Sequence, residues 1–106
     1  MIRHPRYSLV DIQALMKSAE GSYRITRAAR DGAAELKLDE HDVIACVCDL
    51  SDGEFYKSMP ADRSPGNWQD VYRTTYLGRP VYLKLQIVQV SARSAVVISF
   101  KRDESR

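Results

Sequence analysis

Six polar side chains in the second half of the chain are of the types that phosphate chemistry uses. RNA is a phosphodiester that carries its own nucleophile, the 2′-hydroxyl group. A protein therefore has to align that group, accept its proton, stabilise the charge on the phosphorane and protonate the leaving 5′-oxygen. Cations, an amide and a phenol can share these tasks without a metal ion. The six residues are Lys57, Gln69, Arg73, Tyr82, Lys84 and Lys101.

Lysine and tyrosine side chains ordinarily titrate near a pKa of about 10. We expect a cluster of cations on a partly dehydrated surface to lower both pKa values towards a range useful for proton transfer. The same residue types are also what an antiparallel sheet exposes to solvent, so their types alone leave both interpretations open.

Two further side chains are ambiguous from the sequence. Trp68 can be an anchor of the fold or a platform on which an RNA base stacks. Strict alternation along its strand places Lys57 on the same side as Phe55 and Met59. Either that strand has a β-bulge, or Lys57 lies at an edge of the apolar layer.

Other kinds of catalytic site are not indicated. His4 and His41 lie in the first half of the chain, away from the six polar residues, and the acids of the second half are scattered. The sequence has no glycine-rich phosphate loop and no nucleophile elbow. Cys46 and Cys48 are two positions apart in a predicted helix, where they point in different directions, so we expect free thiols. We therefore predict no metal and no cofactor.

The elements that must position these residues change type along the chain. Apolar spacing and capping residues predict helices from Ser8 to Gly21, from Thr26 through Leu36, and from Asp39 to Leu50. Tyr23 to Thr26 fits a short strand between the first two helices. Gly32 is expected to weaken the second helix.

From Glu54 onward, β-branched and aromatic residues predict four strands. Turn signals separate them at Pro60 to Asn67, Leu77 to Pro80 and Ser91 to Arg93. In the strand from Val81 to Val90, one predicted apolar face holds Val81, Leu83, Leu85 and Ile87. In the strand from Ala95 to Lys101, Val96, Ile98 and Phe100 are predicted to share a face. Residues 102 to 106 are expected to form a frayed tail.

These elements predict an α+β fold, a small twisted antiparallel sheet backed by about three N-terminal helices. Its other face is expected to be open and polar. The length of 106 residues fits one domain, residues 1 to 106.

Charge is distributed unevenly, although the net charge is only +2. Residues 1 to 53 carry seven Lys and Arg against nine Asp and Glu, or −2, and residues 54 to 106 carry nine against five, or +4. No apolar run has the length of a membrane span, and the N-terminus lacks the pattern of a secretory signal. We therefore expect a cytoplasmic protein that does not bind membranes.

Four short motifs give a more specific indication. FYKSM at Phe55 to Met59, WQDV at Trp68 to Val71, VYLK at Val81 to Lys84 and ISFK at Ile98 to Lys101 together resemble the MqsR-type toxins. The resemblance implies a RelE-like fold. It also implies the toxin of a type II toxin-antitoxin system, an endoribonuclease that cuts single-stranded mRNA without a metal, at GC-containing sites.

The resemblance also assigns roles to individual residues. It implies that Lys57 and Lys101 stabilise phosphate charge and transfer protons, that Tyr82 does acid-base work or orients the substrate, and that Gln69 positions it. We predict RNA-binding roles for Arg73, Lys84 and Trp68.

The implied partner is a cognate antitoxin with a zinc-binding domain and a DNA-binding helix-turn-helix domain. The toxin would then meet DNA only through the antitoxin. Two other readings remain open. A non-catalytic RNA- or protein-binding module with a RelE-like fold is the main alternative, and a metal-dependent nuclease ranks third because the carboxylates are scattered.

Overall fold

The computed structural model describes residues 3–18, 22–61, 66–89 and 91–105. The predicted α+β class is confirmed, with helices in the first half and most strands in the second. No helix in these ranges is long and apolar enough to cross a membrane. A 3₁₀ turn at Asp52–Glu54 precedes the second strand. The elements are α1 (Leu9–Lys17), β1 (Tyr23–Ile25), α2 (Arg27–Glu35), α3 (Glu40–Asp49), β2 (Phe55–Pro60), β3 (Trp68–Tyr76), β4 (Arg79–Gln89) and β5 (Arg93–Arg102).

The helices begin where capping residues predict. At the start of α3, Asp39 and Asp42 each accept a hydrogen bond from the other's backbone nitrogen, both at 3.0 Å. A hydroxyl oxygen caps the other two helices by accepting from the nitrogen three residues later: Ser8 from Asp11, and Thr26 from Ala29. Helix α1 ends at Lys17. The predicted end at Gly21 lies outside the described residues.

The described strands form one sheet in the order β1-β5-β4-β3-β2. Strands β2 to β5 pair antiparallel with their neighbours, as short turns predict. Strand β1 pairs in parallel with β5, so the prediction of a wholly antiparallel sheet is wrong at this edge. The rule that short turns join antiparallel strands does not apply to β1, because two helices separate it from the other strands.

A tight hairpin fixes the register of β3 and β4. Leu77 and Gly78 form its turn with φ angles of 49° and 79°. Positive φ at both central residues matches a type I′ turn, whose twist suits a hairpin. Tyr76 and Arg79 flank this turn as partners. The register that follows along both strands decides which polar side chains of the open face become neighbours.

The ladder between β4 and β5 contains a β-bulge at Ile98, which has no partner in the register. The bulge changes which side chains of β5 reach the core. Val97 joins Phe100 in the cluster under the helices, whereas Val96 is buried outside that cluster. The prediction that Val96, Ile98 and Phe100 share one face is therefore wrong.

The core lies between the helices and one face of the sheet. Val81, Leu83 and Leu85 of β4 are fully buried there, as alternation predicts. Gly32 lets α2 approach β5 closely, because a Cβ atom at this position would lie 1.9 Å from the carbonyl oxygen of Phe100. The close approach explains a glycine inside this helix.

Both cysteines are free thiols, as predicted. Cys46 is buried in the core, and burial raises the pKa of its thiol to about 12. Cys48 is only partly buried, and burial raises its pKa as well. At neutral pH both groups are therefore held as protonated thiols.

The end of the chain is not frayed over the residues described, in contrast to the prediction. Arg102 belongs to β5, and the Asp103 backbone nitrogen donates to the Pro80 carbonyl at 2.9 Å. Asp103 is only 2% exposed. Sequence composition missed this because the partners of a charged residue near a terminus lie elsewhere in the chain.

Candidate active-site cleft

A β-bulge places Lys57 on the open face, the face of the sheet opposite the helices. Phe55 pairs with Tyr72 and Lys57 pairs with the next residue back, Val71, so Tyr56 is the extra residue. The Phe55 ring packs edge-on against Tyr72 in the core, at 5.6 Å between centroids. Val71 alternates with Tyr72, so its partner Lys57 faces away from the helices. Of the two sequence alternatives for Lys57, the bulge is correct.

The register of the next three strands aligns Arg73, Tyr82 and Lys101 in a row across the open face. Arg73 of β3 pairs with Tyr82 of β4, and Tyr82 pairs with Lys101 of β5. The Lys101 Nζ lies 5.3 Å from the centroid of the Tyr82 ring, within the range of a cation–π contact. The row therefore brings together residues from separate motifs.

Tyr82 and Lys101 of this row line a cleft of about 270 Å³, which we call the lysine–tyrosine cleft. Its walls contain three of the four predicted catalytic residues, Lys57, Tyr82 and Lys101. Tyr56 and the C-terminal residues 102–105 complete the lining. Two ammonium groups and two phenols thus face one space that is open to solvent.

Tyr56 is a cleft residue that was not among the predicted site residues. Its side chain is 49% exposed, which is unusual for a large ring in this protein. The Lys57 Nζ lies 5.3 Å from its ring centroid, and the Arg73 Cζ lies 4.9 Å away. The sequence did contain an indication of this position, since strict alternation placed Lys57 on the same side as Phe55 and Met59. The bulge that resolves this conflict also sets the direction of the Tyr56 side chain.

Arg73 lies beside the cleft, as the strand partner of Tyr82, but its guanidinium group already has protein partners. Its Nε donates to Oδ2 of Asp103 at 2.8 Å, and Nη2 donates to the Ser105 hydroxyl at 2.5 Å. The bond to Asp103 raises the pKa of Arg73. The predicted role of Arg73 in RNA binding therefore has to compete with this ion pair.

Burial raises the pKa of Tyr82 above its ordinary value of 10.0, and Tyr56 and Asp103 add to this rise. Arg73 acts in the opposite direction but does not prevail. The expected lowering of the tyrosine pKa by clustered cations is wrong for Tyr82. At neutral pH its phenol is protonated, so it is suited to donate a proton rather than accept one.

Gln69 and Lys84 share the open face with the cleft but do not line it. Lys84 pairs with Val71, so it flanks that residue on the side opposite Lys57. Gln69 pairs with Met59, two positions further along β2 than Lys57. Both are partly buried. The structure thus places these two predicted residues beyond the walls of the cleft.

Trp68 lies on the other face. It alternates with Gln69 and so points to the same side as Asp70 and Tyr72. The guanidinium carbon of Arg6 lies 4.4 Å from its ring centroid. The buried Asp70 carboxylate accepts hydrogen bonds from the Arg6 and Tyr7 backbone nitrogens at 2.9 to 3.1 Å. The structure thus groups Trp68 with the docked N-terminal arm and not with the cleft.

A larger cavity, of about 560 Å³, adjoins the cleft. Its lining includes Glu54, Thr74, Arg73 and Tyr56, and Tyr56 lines both spaces. Glu54 is engaged by the Thr74 hydroxyl and by the Ser51 backbone nitrogen. This larger space lacks the lysines, and we place the candidate chemistry in the smaller cleft. Among the residues described, no group of three or more His, Cys, Asp and Glu side chains is arranged to hold a metal ion.

The fold and the cleft define a small α+β protein with lysine and tyrosine side chains arranged around a space suited to a phosphodiester. The chain belongs to the family described as motility quorum-sensing regulator, toxin of MqsA, which matches residues 4–102. It is similar to the mRNA interferase toxin MqsR of Escherichia coli strain K12, with 34% identity over 99 residues, 93% of this chain and 95% of that protein. The resemblance to MqsR-type toxins is confirmed.

Proposed function

We propose that this toxin endoribonuclease cuts single-stranded mRNA in the lysine–tyrosine cleft by attack of the RNA 2′-hydroxyl, without a metal ion. One observation carries the proposal. The β2 bulge and the strand register bring Lys57, Tyr82 and Lys101, from three separate motifs, into the lining of one cleft. Family membership supplies the class of reaction, and the cleft supplies groups that can perform it.

In the proposed reaction, one of the two cleft lysines is an ammonium group and stabilises the negative charge that develops on the phosphorane, while the other serves as the base. The 2′-oxygen attacks phosphorus while the bond from phosphorus to the 5′-oxygen breaks. The 2′-hydroxyl proton passes to the amine of Lys57 or Lys101 in its neutral form, and the phenol of Tyr82 protonates the leaving 5′-oxygen. The products are a 2′,3′-cyclic phosphate and a free 5′-hydroxyl.

The other predicted residues act along the RNA on either side of the scissile bond. Gln69 positions the strand by hydrogen bonds from its amide, and Lys84 contacts a neighbouring phosphate. Arg73 lies beside the cleft and acts on the RNA only to the extent that it leaves its ion pair with Asp103. The open face keeps these groups in line because they lie on adjacent strands of one rigid sheet.

Family membership also implies a protein partner, since the family is described as the toxin of MqsA. We propose that the partner is an antitoxin with a zinc-binding domain and a helix-turn-helix domain, which provides the only link to DNA. We further propose that the 106 residues form one domain, act in the cytoplasm where mRNA is found, and prefer GC-containing sites.

Cleavage of a single-stranded RNA in EDTA tests the proposed function. The wild-type protein should yield 2′,3′-cyclic phosphate ends, and an oligonucleotide with 2′-deoxyribose at the cleavage site should remain intact. A Lys57→Ala, Tyr82→Phe double variant should lose activity. The matched control is Lys17→Ala, Tyr76→Phe, which removes the same groups from α1 and from the hairpin end, outside the cleft.

The outcomes separate this proposal from its alternatives. RNA binding without cleavage by the wild type would support a non-catalytic binding module. Cleavage that EDTA abolishes would support a metal-dependent nuclease. Full activity of the Lys57→Ala, Tyr82→Phe variant would remove the cleft from the reaction.

A further inference from the structure

Asp103 is a buried carboxylate fixed on several sides at the wall of the lysine–tyrosine cleft. Its Oδ2 accepts from Arg73 Nε at 2.8 Å, and its Oδ1 accepts from the Ser105 hydroxyl at 2.6 Å and backbone nitrogen at 3.1 Å. Burial alone would raise the pKa of Asp103, but these hydrogen bonds outweigh it and hold the pKa below 3.8. The group is therefore an anion at neutral pH.

A buried ion pair is by itself weak evidence for a role in stability, because desolvation offsets much of the attraction. The hydrogen bonds around this pair indicate a more specific role, which is to orient Arg73. Arg73, Asp103 and Ser105 form a closed ring of hydrogen bonds, since Ser105 accepts from Arg73 and donates to Asp103. The ring fixes the orientation of the planar guanidinium group.

The oriented guanidinium group also neighbours side chains of the cleft. It lies against the Tyr56 ring at 4.9 Å, and the Lys57 ammonium contacts that ring at 5.3 Å. Arg73 is also the cross-strand partner of Tyr82. Contacts therefore run from Asp103 through Arg73 and Tyr56 to Lys57, from one wall of the cleft to the other.

We propose that Asp103 is a positioning residue, which acts through Arg73 to hold Tyr56 and Lys57 in place and keeps Arg73 from binding RNA phosphates. This inference rests on the proposed function of the cleft. The family match ends at residue 102, so family membership assigns no role to Asp103 or Ser105. Two effects follow when the carboxylate loses its charge. Cleavage slows because Lys57 is less well placed, and binding tightens because Arg73 is released to the RNA.

The experiment uses Asp103→Asn, which keeps the size of the side chain. We expect kcat to fall about tenfold, because a small misplacement of a reacting group lowers the rate by a factor of this order or more. Binding of an uncleavable RNA with 2′-deoxyribose at the cleavage site should become tighter. The salt dependence of that binding should steepen by about 0.7 in log–log slope, the value for one added phosphate contact on a single strand.

A double-mutant cycle shows whether Asp103 acts through Arg73. In an Arg73→Gln background, Asp103→Asn should change neither kcat nor the salt slope further. The matched control is Asp11→Asn, which breaks an exposed ion pair with Arg93 at 3.1 Å and should leave all three readouts unchanged. If Asp103→Asn does not fold, Ser105→Ala serves instead. It opens the hydrogen-bonded ring but keeps the carboxylate, and should lower kcat about threefold.

Additive effects of the two substitutions, or weaker binding with an unchanged salt slope, would overturn the inference. A uniform loss of kcat and binding in step with a loss of folded protein would also overturn it, since a merely structural role predicts that result. If the wild type binds RNA but does not cut it, the proposed function fails separately. The affinity and the salt slope would still decide the role of Asp103.

Discussion

The ammonium group of Lys101 lies 5.3 Å from the ring centroid of Tyr82, directly across two neighbouring strands. The contact places a cation beside the Tyr82 phenol, whose pKa burial raises above its ordinary value. A phosphate bound at Lys101 is thus next to a proton donor. We propose that this pair supplies, on two adjacent strands, charge stabilisation and general acid catalysis.

Tyr82→Phe should lower kcat by at least about 10²-fold, because general acid catalysis accelerates a reaction by a factor of that order. The thermal midpoint should stay close to wild type, since the ring and its contact with Lys101 remain. Near neutral pH, ionisation of Tyr82 should not slow the wild type, because its raised pKa keeps the phenol protonated. Tyr76→Phe is the matched control, and wild-type kcat in Tyr82→Phe would argue against the assignment.

Lys57→Ala should reduce kcat strongly and leave the free energy of unfolding nearly unchanged, because the side chain lies on the open face. Lys57→Arg should recover only part of the activity. Its guanidinium group keeps the charge but cannot give up its proton in a protein. Single-turnover cleavage rates check both variants. Full activity of Lys57→Arg would mean that Lys57 supplies charge and transfers no proton.

Gly32→Ala should destabilise the fold by about 1–3 kcal/mol or more, the cost of overpacking a close contact. The added Cβ would lie 1.9 Å from the Phe100 carbonyl oxygen, so α2 must move away from β5. Urea denaturation measures the change. Gly53→Ala is the control, because the nearest atom to its added Cβ is Ser51 Oγ at 3.9 Å. Equal stability of the two variants would contradict the packing described.

Alkaline pH should weaken the fold partly through Cys46. Its pKa is about 12 in the folded protein and 9.0 when unperturbed. Because the pKa of Cys46 is raised on folding, the contribution of its protonated thiol to the free energy of unfolding is complete below pH 9 and is lost as pH rises towards 12. Between pH 8 and pH 10 the wild type should therefore lose about 1 kcal/mol more than Cys46→Ala, measured by urea denaturation under reducing conditions. Parallel losses in both proteins would show that Cys46 ionises normally when folded.

Trp68→Phe should leave RNA affinity within about twofold of wild type, which corresponds to a small difference in binding free energy. The reason is that the Trp68 ring lies under Arg6 on the helix side of the sheet, away from the cleft. Its main effect should be a lower free energy of unfolding. Tyr56→Ala removes an aromatic ring from the cleft side and should slow cleavage. A large loss of affinity in Trp68→Phe with unchanged stability would restore the role of Trp68 as a base-stacking platform.

Local patterns in the sequence predicted the fold class, the helix starts and the buried face of β4. Capping residues and strict alternation act over a few positions, and Asp39 or Leu83 needs no distant partner to be interpreted. The parallel pairing of β1 with β5 depends on contacts between Tyr23 and Ala95, which lie far apart in the chain. Nothing local to β1 indicates this pairing.

Bulges explain the remaining differences at the sheet. A bulge is set by pairing between strands, so alternation within β5 could not reveal the one at Ile98. In β2 the conflict was visible, because a lysine shared a predicted face with Phe55. The ion pair of Arg73 with Asp103 joins residues 30 positions apart, and a charged terminus gives no sign of it.

The most direct test of the central claim measures cleavage in EDTA with two RNA substrates. One is ordinary RNA, and in the other sulfur replaces the leaving 5′-oxygen at the cleavage site, so departure needs no proton. We expect the wild type to cut both, and Tyr82→Phe to be slow on the ordinary RNA but close to wild type on the sulfur substrate. No cleavage by the wild type in EDTA, or an equal defect of Tyr82→Phe on both substrates, would contradict the account.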